Sequence, residues 1–133
     1  MTFLSCKEIH QIMTELGYKQ TNTREYAHEF ELKNGQYIYI KRLKDSQKRK
    51  KEPSRLMIHP SFLKFKEDLI KLEKLEFSFE EKGNMNTAFA QFPHSSESDC
   101  AKNPTQHGIG VNFKDKLALT NFLKFIENKK ELL

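Results

Sequence analysis

Apolar residues recur with a helical period at the start of the chain. Ile9, Ile12, Met13 and Leu16 fall at i, i+3, i+4 and i+7, which places them on one helical face. Ser5 and Glu8 stand three apart just ahead of that face and read as a capping box. Gly17 ends the element. The period then becomes two. In residues 25–33, Tyr26, His28, Phe30 and Leu32 alternate with Ala27, Glu29, Glu31 and Lys33, the pattern of a half-buried strand. Asn34-Gly35 predicts a type I′ hairpin turn. QYIYIKR (36–42) has apolar residues on both faces and reads as a central strand, and SRLMIH (54–59) as a third, halted by Pro60.

Phe62, Phe65, Leu69 and Leu72 predict an amphipathic helix over residues 61–76. Its lysines and acids read as a solvent face laced with ion pairs, and Phe62, Phe65 and Phe77 as a protein-binding patch if partly exposed. FSF (77–79) and NTAFAQFP (86–93) are strand candidates, residues 94–107 a polar loop, and GIGVNF (108–113) a final strand or the approach to the last helix. Gly108 and Gly110 read as sites of close backbone approach. Asn112, with Asp115 three residues on, is the expected cap of a helix whose apolar face is Leu119, Phe122, Leu123 and Ile126. The expected architecture is a single two-layer α+β domain over residues 1–133. Its sheet is mostly antiparallel, it has N- and C-terminal helices, and its order is α-β-β-β-α-β-β-α.

Charge adds one feature. Residues 41–55 hold Lys41, Arg42, Lys44, Lys48, Arg49, Lys50, Lys51 and Arg55 against Asp45 and Glu52, a formal +6 in a chain of net +5. This stretch is either a solvated connection between strands or a grip on a partner. In the second case Tyr37 and Tyr39 on the adjacent strand offer rings for base stacking. A balance this basic suits nucleic acid, an anionic surface or an acidic protein. Eleven Phe supply core in a chain only 37% hydrophobic.

Two cysteines, Cys6 and Cys100, make no disulfide framework. The opening residues MTFLSCKEIHQIM lack the charged-then-apolar pattern of a signal peptide, and no apolar run is long enough to span a membrane. A cytoplasmic protein with free thiols is therefore expected.

Catalytic constellations do not assemble. His59 beside Pro60 can serve as an acid or base, but it reads as a structural residue at a strand-to-helix corner. His28 reads as a satisfied core or edge histidine, and His10 as exposed. His94, Cys100 and His107 are spaced six and seven apart, wider than zinc-ligand pairs. Glu67-Asp68 and Glu80-Glu81 are adjacent and cannot converge on one helical face. GIG (108–110) lacks the residues of a phosphate loop. No cofactor and no metal are expected.

YIYIKR (37–42), LMIHP (56–60), AQFP (90–93) and GIGVNFKDKLALTNFL (108–123) occur in that order. Together they resemble the YgaC-like family of small uncharacterised bacterial proteins, across residues 25–126 apart from a poorly matched middle, 61–88. The resemblance implies a two-layer fold grouped with the N-terminal domain of the competence regulator TfoX and with type III secretion chaperones. It brings no activity with it. The basic segment here is longer and richer in Lys than the family's.

The expected function is non-enzymatic binding of a protein partner, as a chaperone, an adaptor or an immunity protein that neutralises a toxin. An immunity protein facing a basic nuclease would be acidic, so charge adds nothing to that last reading. The alternative is a nucleic-acid-binding regulator using residues 41–55. No membrane partner is expected.

Overall fold

A computed structural model describes residues 3–23, 27–42, 54–80, 84–86, 88–93 and 105–129. Lys44, Lys48, Arg49, Lys50, Lys51, His94 and Cys100 lie outside these. The fold is a two-layer α+β domain. Six strands form one antiparallel sheet in the order β1-β2-β3-β4-β6-β5: β1 Lys19–Thr23, β2 Ala27–Glu31, β3 Tyr37–Lys41, β4 Leu56–Ile58, β5 Leu75–Ser78 and β6 Ile109–Phe113. Helices α1 (Cys6–Glu15), α2 (Lys66–Leu69) and α3 (Lys116–Glu127) accompany it, with a 3-10 turn over Pro60–Phe65.

α1 begins with the expected capping box, Ser5 and Glu8 exchanging bonds of 3.1 and 2.9 Å. It ends on Gly17 at φ +84°. Gly17 N–H donates to Thr14 O and Tyr18 N–H to Met13 O, the paired bonds of a Schellman motif. α3 is capped by Asp115, whose carboxylate accepts from Ala118 N–H at 2.8 Å. Asn112, the expected cap, is instead a buried β6 residue. Its Oδ1 accepts from Arg55 N–H and from the Arg55 guanidinium.

The main core lies between sheet and helices. Ile9 and Met13 of α1, Phe62, Leu69, and Leu119, Phe122 and Ile126 of α3 cover Phe30, Ile38, Ile40, Leu56, Ile58, Val111 and Phe113. A second, smaller cluster of Ala27, Tyr39, Met57, Ala88, Phe89 and Phe92 occupies the opposite face.

That second cluster explains two departures from expectation. β2 is buried on both faces, so Glu29 does not face water as strict alternation implies; it is 6% exposed. Residues 86 and 88–93 form turns and bends, not a strand: Phe89 N–H bonds Asn86 O and Phe92 N–H bonds Phe89 O. Those turns lower Ala88, Phe89 and Phe92 onto the sheet, an aromatic anchorage that strand periodicity mimics.

Three further elements differ from expectation. β1 was not anticipated because KQTNT is polar and wholly exposed; it pairs with β2 as an edge strand, with a bulge between Gln20 and Asn22. The turn after β2 is not type I′, since Asn34 has negative φ and only Gly35 (+84°) is left-handed. Gly35 N–H bonds Leu32 O and Leu32 N–H bonds Gln36 O, the geometry of a three-residue loop with a glycine bulge.

The helix expected at 61–76 is only a 3-10 turn followed by one turn of α-helix. It ends early because the chain must return to the sheet, where Leu75 pairs with Phe113. Lys74, at φ +62°, makes the reversal.

Candidate functional site

The described part of the basic stretch sits at one end of β3 and β4. Lys41 N–H donates to Arg55 O at 2.8 Å, so the two strands still pair where the stretch leaves and returns. Lys41 and Arg55 are half-buried and Arg42 is exposed. The two tyrosines fare differently from expectation. Tyr37 is half-buried, and its hydroxyl lies 3.4 Å from Glu31. That carboxylate pushes the Tyr37 phenol above its usual range.

Tyr39 is not available for stacking, because it is 1% exposed under Phe89 and Phe92. Its hydroxyl donates to Glu29 at 2.5 Å and accepts from Gln91 N–H at 2.8 Å, while Thr21 Oγ1 donates to the other Glu29 oxygen at 2.7 Å. Tyr39 therefore ties the 84–93 segment to the sheet and satisfies a buried carboxylate.

Burial first, and the bond to Glu29 second, hold the Tyr39 phenol far above the usual tyrosine range. Tyr18, bonded to Glu127, is raised for the same reasons. A folded-state pKa above the unfolded value of 10.0 means that ionisation favours unfolding. The stabilisation is complete below about pH 10 and declines as pH rises beyond it. Tyr39→Phe is expected to cost about 1–3 kcal/mol at neutral pH, because Glu29 and Gln91 N–H each lose a buried partner. It should also flatten the alkaline decline measured by denaturant titration from pH 8 to 11.

His59 Nδ1 accepts from Ser61 N–H at 3.0 Å and caps the 3-10 turn that Pro60 opens. Its ring meets Phe92 edge-on. Burial, helped by His107, keeps its pKa below the usual histidine value. His107 Nδ1 contacts Pro93 O at 3.1 Å.

The His10 ring packs tilted against His28 with centroids 4.4 Å apart, bridged by Gln20, so His10 is half-buried rather than exposed as its helix position suggests. Burial and the positive charge of its neighbours lower the His28 pKa. Among the described residues, no group of three or more His, Cys, Asp and Glu gathers as metal ligands would. None of the described helices is long and apolar enough to cross a membrane.

The feature best suited to binding is on the helical layer. Phe62 is buried, but Phe65, Phe77, Phe79 and Phe125 are only partly so, and Leu63 and Ile70 are 52% and 58% exposed. Lysines lie over these rings. Lys129 Nζ is 4.8 Å from the Phe65 centroid and 4.6 Å from that of Phe125, Lys66 Nζ is 4.9 Å from Phe79, and Lys64 Nζ is 5.4 Å from Phe65.

Two of the lysines expected to form ion pairs thus cover aromatic faces. Lys74, by contrast, meets Asp115 at 3.3 Å. An apolar surface topped by lysine cations can meet apolar side chains and carboxylates together. The sequence pattern alone does not mark Phe79 and Lys129. The available signal was Phe125, an aromatic one position outside the core face of α3.

No protein-family model matches the chain, and no curated protein matches it significantly.

Proposed function

We propose that this chain is a non-enzymatic, cytoplasmic binding protein. Its partner is another protein, met through the surface of Leu63, Phe65, Ile70, Phe79 and Phe125 with Lys64, Lys66 and Lys129. The supporting observation is the cation-capped aromatic cluster itself, together with Leu63 and Ile70, which are more than half exposed on the 3-10 turn and just after the helix that carry Phe65 and Lys66. Exposed apolar area of this kind costs solubility unless it is used.

Its chemistry suits an amphipathic segment that presents apolar side chains and carboxylates. Such a role accords with a chaperone, an adaptor or a toxin-neutralising immunity protein. It also accords with membership of the YgaC-like family, which we carry forward on the motifs quoted above.

A second reading has one observation in its favour. Lys41, Arg42 and Arg55 gather at the sheet end from which the rest of the +6 stretch departs. As a nucleic-acid grip, the stretch predicts binding that weakens steeply with salt. Converting Lys48, Arg49, Lys50 and Lys51 to Gln should then abolish it. The two readings separate when the tagged protein is used as bait in lysate of its source organism, with and without nuclease. One dominant protein surviving nuclease supports the first, and material lost to nuclease supports the second.

A further inference from the structure

The sheet has two edges, and they differ in kind. β1 carries only polar, exposed side chains and a bulge, the usual protections against pairing with another strand. β5 is the other edge, and among the described residues nothing pairs with its outer side. Leu75 and Phe77 project toward the helical layer, as their partners Phe113 and Val111 do, and both remain partly exposed.

The ladder fixes which backbone groups are spare. Lys74 O accepts from Lys114 N–H, so residues 74, 76 and 78 direct their hydrogen-bonding groups inward to β6. Leu75 and Phe77 direct theirs outward.

We propose that this edge pairs with the same edge of a second copy, antiparallel and two-fold symmetric about Phe77, to make one continuous twelve-stranded sheet. The run 74–80, KLEFSFE, is self-complementary in that register. Phe77 meets its counterpart, with the outward N–H and C=O groups of both exchanged. Leu75 meets Phe79 on either side, so that all the apolar contacts fall on the helical face. Lys74 meets Glu80, opposite in charge. Glu76 meets Ser78, so no two carboxylates stand opposed.

This inference shares only Phe79 with the proposed partner surface and is tested without a partner. Sedimentation equilibrium of the purified chain at about 100 μM should give twice the 15.7 kDa chain mass. Lys74→Glu and Glu80→Lys each place like charges opposite one another, and each should shift the mass to that of the monomer. An equimolar mixture of the two variants restores opposite charges at both ends and should recover the dimer. Hydrogen exchange of the unaltered protein supplies a check that needs no variant. The Leu75 and Phe77 amides should be protected at high concentration and lose at least tenfold in protection on dilution to monomer. A monomeric unaltered chain, or a dimer indifferent to both substitutions, overturns the proposal.

Discussion

Phe89→Ala is expected to destabilise the protein by about 3 kcal/mol, the lower part of the range for removing a buried Phe. At the heat of unfolding of a domain this size, that lowers Tm by roughly 10 °C. Phe89 is fully buried and touches Tyr39 and Phe92, with centroids 5.3 and 6.1 Å away. It belongs to a segment of turns, which can partly collapse after truncation, and this places the cost low in the range. The loss should be local in character. The bond from Gln91 N–H to the Tyr39 hydroxyl depends on this packing, so the Gln91 amide should lose exchange protection before the central strands do. A loss below about 1 kcal/mol would mean that the second cluster is not a core.

Gly110→Ala comes next, with about 3 kcal/mol expected, the upper part of the range for overpacking. A Cβ on Gly110 would be driven into the Ser54 side chain and would lie 2.9 Å from Asn84 Oδ1. Asn84 cannot easily retreat, because its amide donates to Ser78 O, Ser78 Oγ and Glu80 O. Ser54 can be removed. The double variant Ser54→Gly/Gly110→Ala should recover more than 1 kcal/mol of the loss, a coupling that a double-mutant cycle by urea denaturation reads directly. Additive losses would show that the contact with Ser54 is not the cause.

These two positions mark what the chain made legible and what it hid. GIG announced a close approach to the sheet, because glycine at alternate strand positions has few other uses, and both sites prove crowded. The capping box at Ser5 and Glu8 and the apolar face of α3 were legible because the chemistry is local.

Other features were hidden because they are not local. Strand β1 has no apolar side chain, and only its pairing with β2 makes it a strand. The short form of the segment after Pro60 follows from the need of Leu75 to reach β6, which no helical periodicity reports. NTAFAQFP alternates like a strand, yet its alternation serves turns that drop Phe89 and Phe92 onto Tyr39.

The proposed binding surface is half legible. Phe65 and Phe77 stand out in the sequence, but Lys129 lies more than fifty residues away from Phe65 and comes over its ring only through the fold. Tyr39 shows the converse. Its place on an aromatic strand beside the basic stretch suggested an exposed ring, whereas the Glu29 carboxylate and the 84–93 segment claim it for the interior.

The claim at the centre of this account is that the aromatic–lysine surface, and not the basic stretch, carries partner binding. The most direct measurement is the affinity of the nuclease-resistant partner for three versions of the chain. These are the unaltered protein, Leu63→Ser/Ile70→Ser/Lys129→Glu, and the version with Lys48, Arg49, Lys50 and Lys51 changed to Gln. Leu63 and Ile70 are more than half exposed, and each of those changes costs within about 0.5 kcal/mol of stability, while Lys129→Glu also removes the cation from the half-buried Phe65 and Phe125 rings. The account predicts a loss of at least a hundredfold in affinity, about 2.7 kcal/mol, for the surface variant, and less than threefold for the basic-stretch variant. Undiminished affinity in the surface variant, with binding lost in the basic-stretch variant, would contradict it.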